Sequence, residues 1–304
     1  MGNNLLVAKN VTKAYGNKVA LKDFSIQIPK ASIYGLLGPN GAGKTTFIRI
    51  INQITMPDFG EMILDGERLS AKHISQIGYM PEERGLYKNM KVGDQCIYLA
   101  QLKGLSKKEA KKRLNFWFEK LNISDWWGRK LRELSKGMSQ KIQFIVTVLH
   151  EPKLLIFDEP FSGFDPVNAN IIRDEILELQ KKGATIIFST HRMESVEDLC
   201  DHVALIHRSE KILDGPIHSI KEKFKQEAYW VELKNVKSDF FEAFKNSHHL
   251  ENIDERNGLK KFKIFQENLT SRELITELNG LGEIITFREE IPSMNQVFLT
   301  AVNQ

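Results

Sequence analysis

The run GPNGAGKT (38–45) lies between the apolar, strand-like IYGLL (33–37) and the helix-forming FIRIINQI (47–54). Gly38, Gly41 and Gly43 let a backbone wrap closely enough for its N–H groups to hold β- and γ-phosphates. Lys44 adds a mobile cation and Thr45 a hydroxyl suited to Mg2+. Asn40 and Thr46 complete the candidate nucleotide contacts of this loop. An ordinary glycine-rich turn would not need the strand, loop and helix in this order. A second centre stands in LLIFDEP (154–160). A buried strand ending in Asp158 puts a carboxylate at the edge of a sheet where ligands bind, placed to hold the hydration shell of a magnesium ion. Glu159 beside it can polarise an attacking water. Alone, two acids at a strand end read better as solvated; with a phosphate loop upstream they read as the metal and base half of a hydrolytic site.

A third centre is LSKGMSQ (134–140). Ser135 is placed as the N-cap of a helix, with Lys136, Gly137 and the N–H groups of the first turn beside it, an arrangement that attracts an anion. No acidic cluster in the local sequence supplies one. His191, in FSTHRME (188–194), follows a second apolar strand. By itself it reads as a structural histidine.

These residues need a scaffold. Short β-type runs appear at Leu5–Val11, Phe24–Ile28, Ile33–Leu37, 61–66 and 76–80, and the pattern turns helical from about Lys88 to His150. Ala110, Leu114, Trp117 and Leu121 form one helical face, with Lys107, Lys108, Lys111 and Lys112 on a solvated one. LLIF (154–157) and TIIF (185–188) are continuous apolar runs suited to a parallel sheet. Between them Asp165 and Pro166 start a helix whose Ala169, Ile172, Ile176 and Leu179 share a side and which Gly183 stops. Strand–helix–strand alternation predicts an α/β core. The charged run IKEKFK (220–225) is expected to be a linker. After it, the order βαββαβ, with the hairpin signal Asn257-Gly258 and a last helix over Met294–Val302, predicts a small ferredoxin-like α+β domain. His248-His249 reads as a polar surface pair rather than a metal site.

The chain has 304 residues, 41% of them hydrophobic, enough for one large or two moderate cores. A net charge of +4 is too weak to argue for nucleic acid. Cys96 and Cys200 stand far apart without metal or redox spacing, which fits a reduced, cytoplasmic setting. The N-terminal MGNNLLVAKN lacks signal-peptide character, and no apolar run approaches the roughly 20 residues of a membrane span. A membrane role would have to come through a partner.

With these motifs in this order, the first 220 or so residues resemble the nucleotide-binding subunit of an ABC transporter. The resemblance implies a P-loop NTPase core with antiparallel β and helical subdomains over 1–220, the helical subdomain at about 84–150, and an accessory α+β domain over 221–304. It implies that Tyr15 stacks on adenine and that LSKGM stands for the family signature LSGGQ. FSGFDP (161–166), with Asp165, is then the D-loop, and His191 is the switch histidine at the γ-phosphate. The cofactors are then ATP and Mg2+. Lys44, Glu159 and His191 are the catalytic set, and Thr45, Asp158 and Glu82 surround the metal. In this family two subunits pack head to tail, so Ser135 and the Gly137 N–H of one chain would close on the γ-phosphate held by Lys44 of the other. The implied partners are a second copy of the chain in the ATP-bound state and an integral membrane permease, with no nucleic acid. The implied location is peripheral, on the cytoplasmic face of the membrane.

Three residues depart from the family pattern. Lys136 replaces the first signature glycine, losing backbone freedom but adding a cation near a phosphate. Met138 replaces a glutamine that could hydrogen bond. In IGYMPEERGLY (77–87), Glu82 stands where the family has the Q-loop glutamine, keeping an oxygen while adding charge and losing an amide donor. PEERGLY, LSKGM and the C-terminal domain together are similar to the sodium-efflux-type exporter branch. A soluble ABC ATPase acting on nucleic acid or ribosomes is the alternative; a long coiled-coil insertion or second phosphate loop would mark it, and the sequence has neither. A regulatory nucleotide binder without hydrolysis is disfavoured by the presence of Lys44, Asp158, Glu159 and His191.

Overall fold

The computed structural model describes residues 3–83, 85–266 and 269–303. Arg84, inside PEERGLY and at the expected start of the helical subdomain, lies outside them, as do Met1, Gly2 and Gln304 at the expected domain limits. Contacts divide the chain into Met1–Ile217 with Phe298–Gln304, and His218–Val297.

In the first unit, β1 (Asn4–Tyr15) and β2 (Lys18–Pro29) form a long antiparallel pair, and β3 (Ile33–Leu37) leads into α1 (Lys44–Ile51). β4 (Phe59–Leu64) and β5 (Glu67–Arg68) extend the antiparallel sheet in the order β2-β1-β4-β5. β6 (Ile77–Met80) opens into α2 (Val92–Leu102), α3 (Lys107–Lys120) and α4 (Lys136–Val148). Ser106 caps α3 by accepting from the Glu109 N–H. Ala110, Leu114, Trp117 and Leu121 are buried, and the four lysines of that stretch are exposed.

β7 (Leu154–Asp158), α5 (Pro166–Lys181), β8 (Thr185–Thr190), α6 (Met193–Glu197), β9 (His202–His207) and β10 (Glu210–Pro216) complete a six-stranded sheet of order β10-β9-β3-β8-β7-β6. All but β10 run parallel, and β7 and β8 are buried along their whole length, as continuous apolar runs in a parallel sheet require. Gly183 (φ 99°) ends the α5 segment in the left-handed region. The IKEKFK run is not an open linker. Its first four residues lie in α7 (Ile217–Lys223), where Ile220 is buried and Lys221 and Lys223 sit in the last turn, favourable for the helix dipole.

The second unit holds β11 (Ala228–Lys234), α8 (Ser238–Ser247), β12 (Leu250–Arg256), β13 (Leu259–Phe265), α9 (Ser271–Leu281) and β14 (Glu283–Glu289); α10 (Met294–Asn303) follows. The antiparallel order β12-β13-β11-β14 is the ferredoxin-like arrangement expected. Asn257 (φ 53°) and Gly258 (φ 72°) form the two-residue turn between β12 and β13. Val231, Leu233, Phe241, Phe262, Ile264 and Leu278 make its core. His248 stacks on Phe244 and lies 3.2 Å from Glu277, while His249 stacks on Phe265. Among the described residues, no helix is long and apolar enough to cross a membrane.

Candidate functional site

Four strands of the parallel sheet end at one edge, and each delivers a candidate residue there. β3 runs into Gly38, β7 ends in Asp158 with Glu159 next, β8 precedes His191, and β6 is followed by Pro81 and Glu82. The carboxyl edge of a parallel sheet is where ligands bind in such folds.

The glycines of the loop after β3 answer to two demands. A Cβ on Gly38 would stand 2.2 Å from the Ile206 carbonyl oxygen, and one on Gly43 would stand 2.5 Å from that of Ala20, so the loop is pressed against its own scaffold there. A Cβ on Gly41 (φ 79°) would meet nothing within 4 Å; this stretch of backbone borders open space. That space is a cavity of about 230 Å³ lined by Tyr15, Lys18, Ala20, Asn40, Gly41, Gly43, Lys44, Thr45, Thr46, Glu82, Asp158 and Glu159.

Lys44, only 7% exposed, folds back to donate to the carbonyl oxygens of Gly38 at 2.6 Å and Pro39 at 3.1 Å. Burial lowers its pKa, opposed by the nearby carboxylates of Glu159, Asp158 and Glu82. Asp158 is raised, again chiefly by burial, with Glu159 and Glu82 adding and Lys44 opposing. Three acids crowded around one lysine favour a further cation in the cavity. The oxygen donors of Thr45, Asp158 and Glu82 are hard ligands of the type Mg2+ takes. Among the described residues no group of three or more acidic, histidine or cysteine side chains is placed to hold a metal ion by itself.

Glu159 occupies the left-handed region (φ 49°), with its N–H donating to the Ser189 carbonyl at 2.9 Å. Its Oε2 accepts from Thr190 Oγ1 at 3.1 Å, and its Oε1 receives the His191 N–H. Tyr15 is 47% exposed at the cavity mouth, with Lys13 Nζ 5.5 Å from its ring centre.

Ser135, Gly137 and Asp165 do not line the cavity. Ser135 caps α4 by accepting from the Met138 N–H at 3.2 Å, and Asp165 caps α5 by accepting from that of Asn168 at 2.9 Å. Gly137 faces the D-loop, where a Cβ on it would lie 3.4 Å from the Gly163 carbonyl oxygen. The Lys136 stem also lies over Gly163, where a Cβ would come within 2.6 Å of its Cε. Gly38 and His191 are also outside this lining but are bonded to residues that form it, Gly38 through its carbonyl to Lys44 and His191 to Glu159.

Lys18, Ala20 and Thr190 were missed from sequence. Thr190 had a signal, being the polar last residue of a buried strand, directly before His191; Lys18 and Ala20 reach the site only because β2 crosses beside α1.

Known proteins resemble this chain in sequence and fold. The profile of the family described as ABC transporter matches residues 21–162, and that described as ATP-binding protein DrrA1-3-like, C-terminal domain, matches residues 215–302. The uncharacterized ABC transporter ATP-binding protein YhaQ of Bacillus subtilis (strain 168) is 41% identical over 302 residues, 98% of each chain. The linearmycin resistance ATP-binding protein LnrL of the same organism is 36% identical over 214 residues, 69% of each. A solved ATP-binding subunit of an ABC transporter superposes with a TM-score of 0.68 at 30% identity, covering 72% of this chain and 93% of that one. The chain therefore belongs to the ABC transporter family, as one of the ATP-binding, ATP-hydrolysing subunits that work with membrane permeases.

Proposed function

We propose that the chain binds Mg2+ and ATP in this cavity and hydrolyses ATP as half of a head-to-tail homodimer. That cycle would drive export through a separately encoded permease on whose cytoplasmic side it sits. The observation that carries this reading is the split among the site residues. Phosphate loop, candidate metal ligands and candidate base border one cavity, while Ser135, Gly137 and Asp165 do not. A second copy turned to face the first would bring those three to the open side of the nucleotide.

In that arrangement Tyr15 stacks on the adenine. Lys44 exchanges its Gly38 and Pro39 carbonyls for phosphate oxygens. Thr45, Asp158 and Glu82 hold the magnesium shell, and the ion, when bound, offsets charge on the phosphates. Glu159 orients water, and His191 holds Glu159 while reaching the γ-phosphate. The closed dimer binds ATP better than the open one, so the nucleotide shifts the population and its hydrolysis releases it. The export direction is supported by the likeness to a resistance protein.

The test is co-purification from membranes with the permease, together with an ATPase assay. The reading expects capture of an integral membrane protein and turnover that responds to it. Pelleting with ribosomes or DNA in detergent-free extract, without a membrane partner, would favour the soluble alternative.

A further inference from the structure

β6 is the edge strand of the parallel sheet, so the carbonyls on its outer side have no strand to pair with. Side chains on and beside α4 face them instead. Lys103 Nζ donates to the Ile77 oxygen at 2.9 Å, with His150 Nε2 3.3 Å away; Thr147 Oγ1 donates to the Gln143 carbonyl at 2.8 Å and lies 3.5 Å from that of Tyr79; Gln143 Nε2 donates to that of Pro81 at 2.8 Å. Steps of two residues along a strand cover about 6.6 Å, and steps of three or four along a helix about 5 Å, so the two repeats run nearly in phase. The approach is close: a Cβ on Gly78 would stand 2.4 Å from the Thr147 carbonyl oxygen. One turn earlier, Gln140 Nε2 donates to the Pro160 carbonyl at 3.2 Å, directly after Glu159.

The last rung differs from the other two. Pro81 lies beyond the end of β6 and immediately before Glu82, so the Gln143 bond holds the peptide that carries a cavity carboxylate. Gln143 is 3% exposed, and its Oε1 is buried with no hydrogen-bond partner. A leucine or methionine would fill a helix–strand seam without burying an unmatched acceptor. The amide is therefore explained by its single donor bond.

We propose that Gln143 is a positioning residue for Glu82: its bond to the Pro81 carbonyl sets the Glu82 carboxylate at the metal side of the cavity and ties it to the helix that Ser135 begins. This rests on the reading of Glu82 as a metal-site residue. Displacement of α4 when Ser135 engages a nucleotide would then reach Glu82 through one hydrogen bond.

The probe is Mn2+ with ADP on the full-length chain, free Mn2+ being followed by electron paramagnetic resonance. Glu82→Ala, which removes the candidate ligand oxygen, and Gln143→Met should each weaken Mn2+ binding, Gln143→Met by about tenfold, the size usual for loss of a group that orients a ligand. The double variant should be no weaker than Glu82→Ala alone. Thr147→Val, which removes a hydroxyl on the same seam that faces the Gln143 and Tyr79 carbonyls, should leave Mn2+ affinity unchanged. Gln143→Ala is read the same way if Gln143→Met does not fold. If Glu82→Ala weakens Mn2+ and Gln143→Met does not, the positioning role is overturned and the metal reading stands. Equal weakening by Thr147→Val, or additive losses in the double variant, would reduce Gln143 to general packing. An unchanged affinity in Glu82→Ala would remove the metal reading and this inference with it.

Discussion

His191 Nδ1 lies 2.6 Å from Glu159 Oε1, and the backbone N–H of His191 donates to that same oxygen at 2.8 Å. With Thr190 on the other oxygen, the carboxylate is held from the β8 side, and Glu159 also borders the nucleotide cavity. A base fixed in this way keeps its remaining lone pairs for water. Glu159→Gln preserves the shape and removes the basicity. Turnover should fall by about 10²- to 10⁴-fold while ATP still binds. Size-exclusion chromatography with Mg2+ and ATP should then show a larger dimer fraction, because the state that precedes hydrolysis accumulates. Full turnover would take Glu159 out of the base role.

Lys44 now spends its donors on two carbonyls of its own loop. Binding exchanges these neutral acceptors for charged ones, and hydrogen bonds to charged groups are stronger. Lys44→Ala should weaken ATP affinity by roughly 10- to 100-fold in calorimetry, the worth of a charge-assisted bond. Unchanged affinity would count against the cradle.

How much of this was legible depended on whether the signal was local. The phosphate loop, Asp158 with Glu159, and the Asn257-Gly258 hairpin were readable because each depends on neighbours in the chain. The placement of Glu82 beside the phosphate loop came only with the family resemblance and not from local spacing, since it depends on β6 lying three strands from β3 in the sheet. The polar stripe Gln140, Gln143 and Thr147 was also hidden. Periodicity assigns such residues to solvent, yet all three are buried: Gln143 donates to the Pro81 carbonyl just past β6, Gln140 to that of Pro160 just past β7, and Thr147 lies against the Tyr79 carbonyl of β6. IKEKFK looked like a linker because charge dominates its composition; its register, with Ile220 inward, makes its first four residues the end of a helix.

The division between cavity residues and Ser135 makes a mixing experiment decisive for the shared pocket. Lys44→Ala leaves a chain with a working Ser135, and Ser135→Arg leaves one with a working Lys44. Each homodimer should be inactive, but a heterodimer would hold one pocket with both native groups. Mixing the two variants should therefore restore turnover, rising with the product of their concentrations. No recovery at any ratio, or full turnover by wild-type chain diluted below its dimerisation range, would sink the shared pocket.

His150 gives a pH signature to the helix–strand seam. It is buried, and its pKa is pushed down to about 4 chiefly by burial, with Lys103 and Arg113 adding and the Ile77 carbonyl opposing. Lys103 faces the same place, donating to the Ile74 and Ile77 oxygens at 2.9 Å. In an unfolded chain a histidine titrates near 6.5, so between about pH 6.5 and pH 4 the unfolded state takes up a proton that the folded state refuses. Stability from this group is complete above the unfolded value and declines as pH falls through the window. It should lose about 2 kcal/mol between about pH 7.5 and pH 5. His150→Gln keeps a donor for Ile77 but cannot titrate. Urea unfolding followed by tryptophan fluorescence should therefore show a shallower pH dependence for the variant, the two proteins converging toward acid. Parallel curves would mean that the imidazole titrates in the folded chain as it does in water, and that the seam between α4 and β6 admits solvent at its Ile77 end.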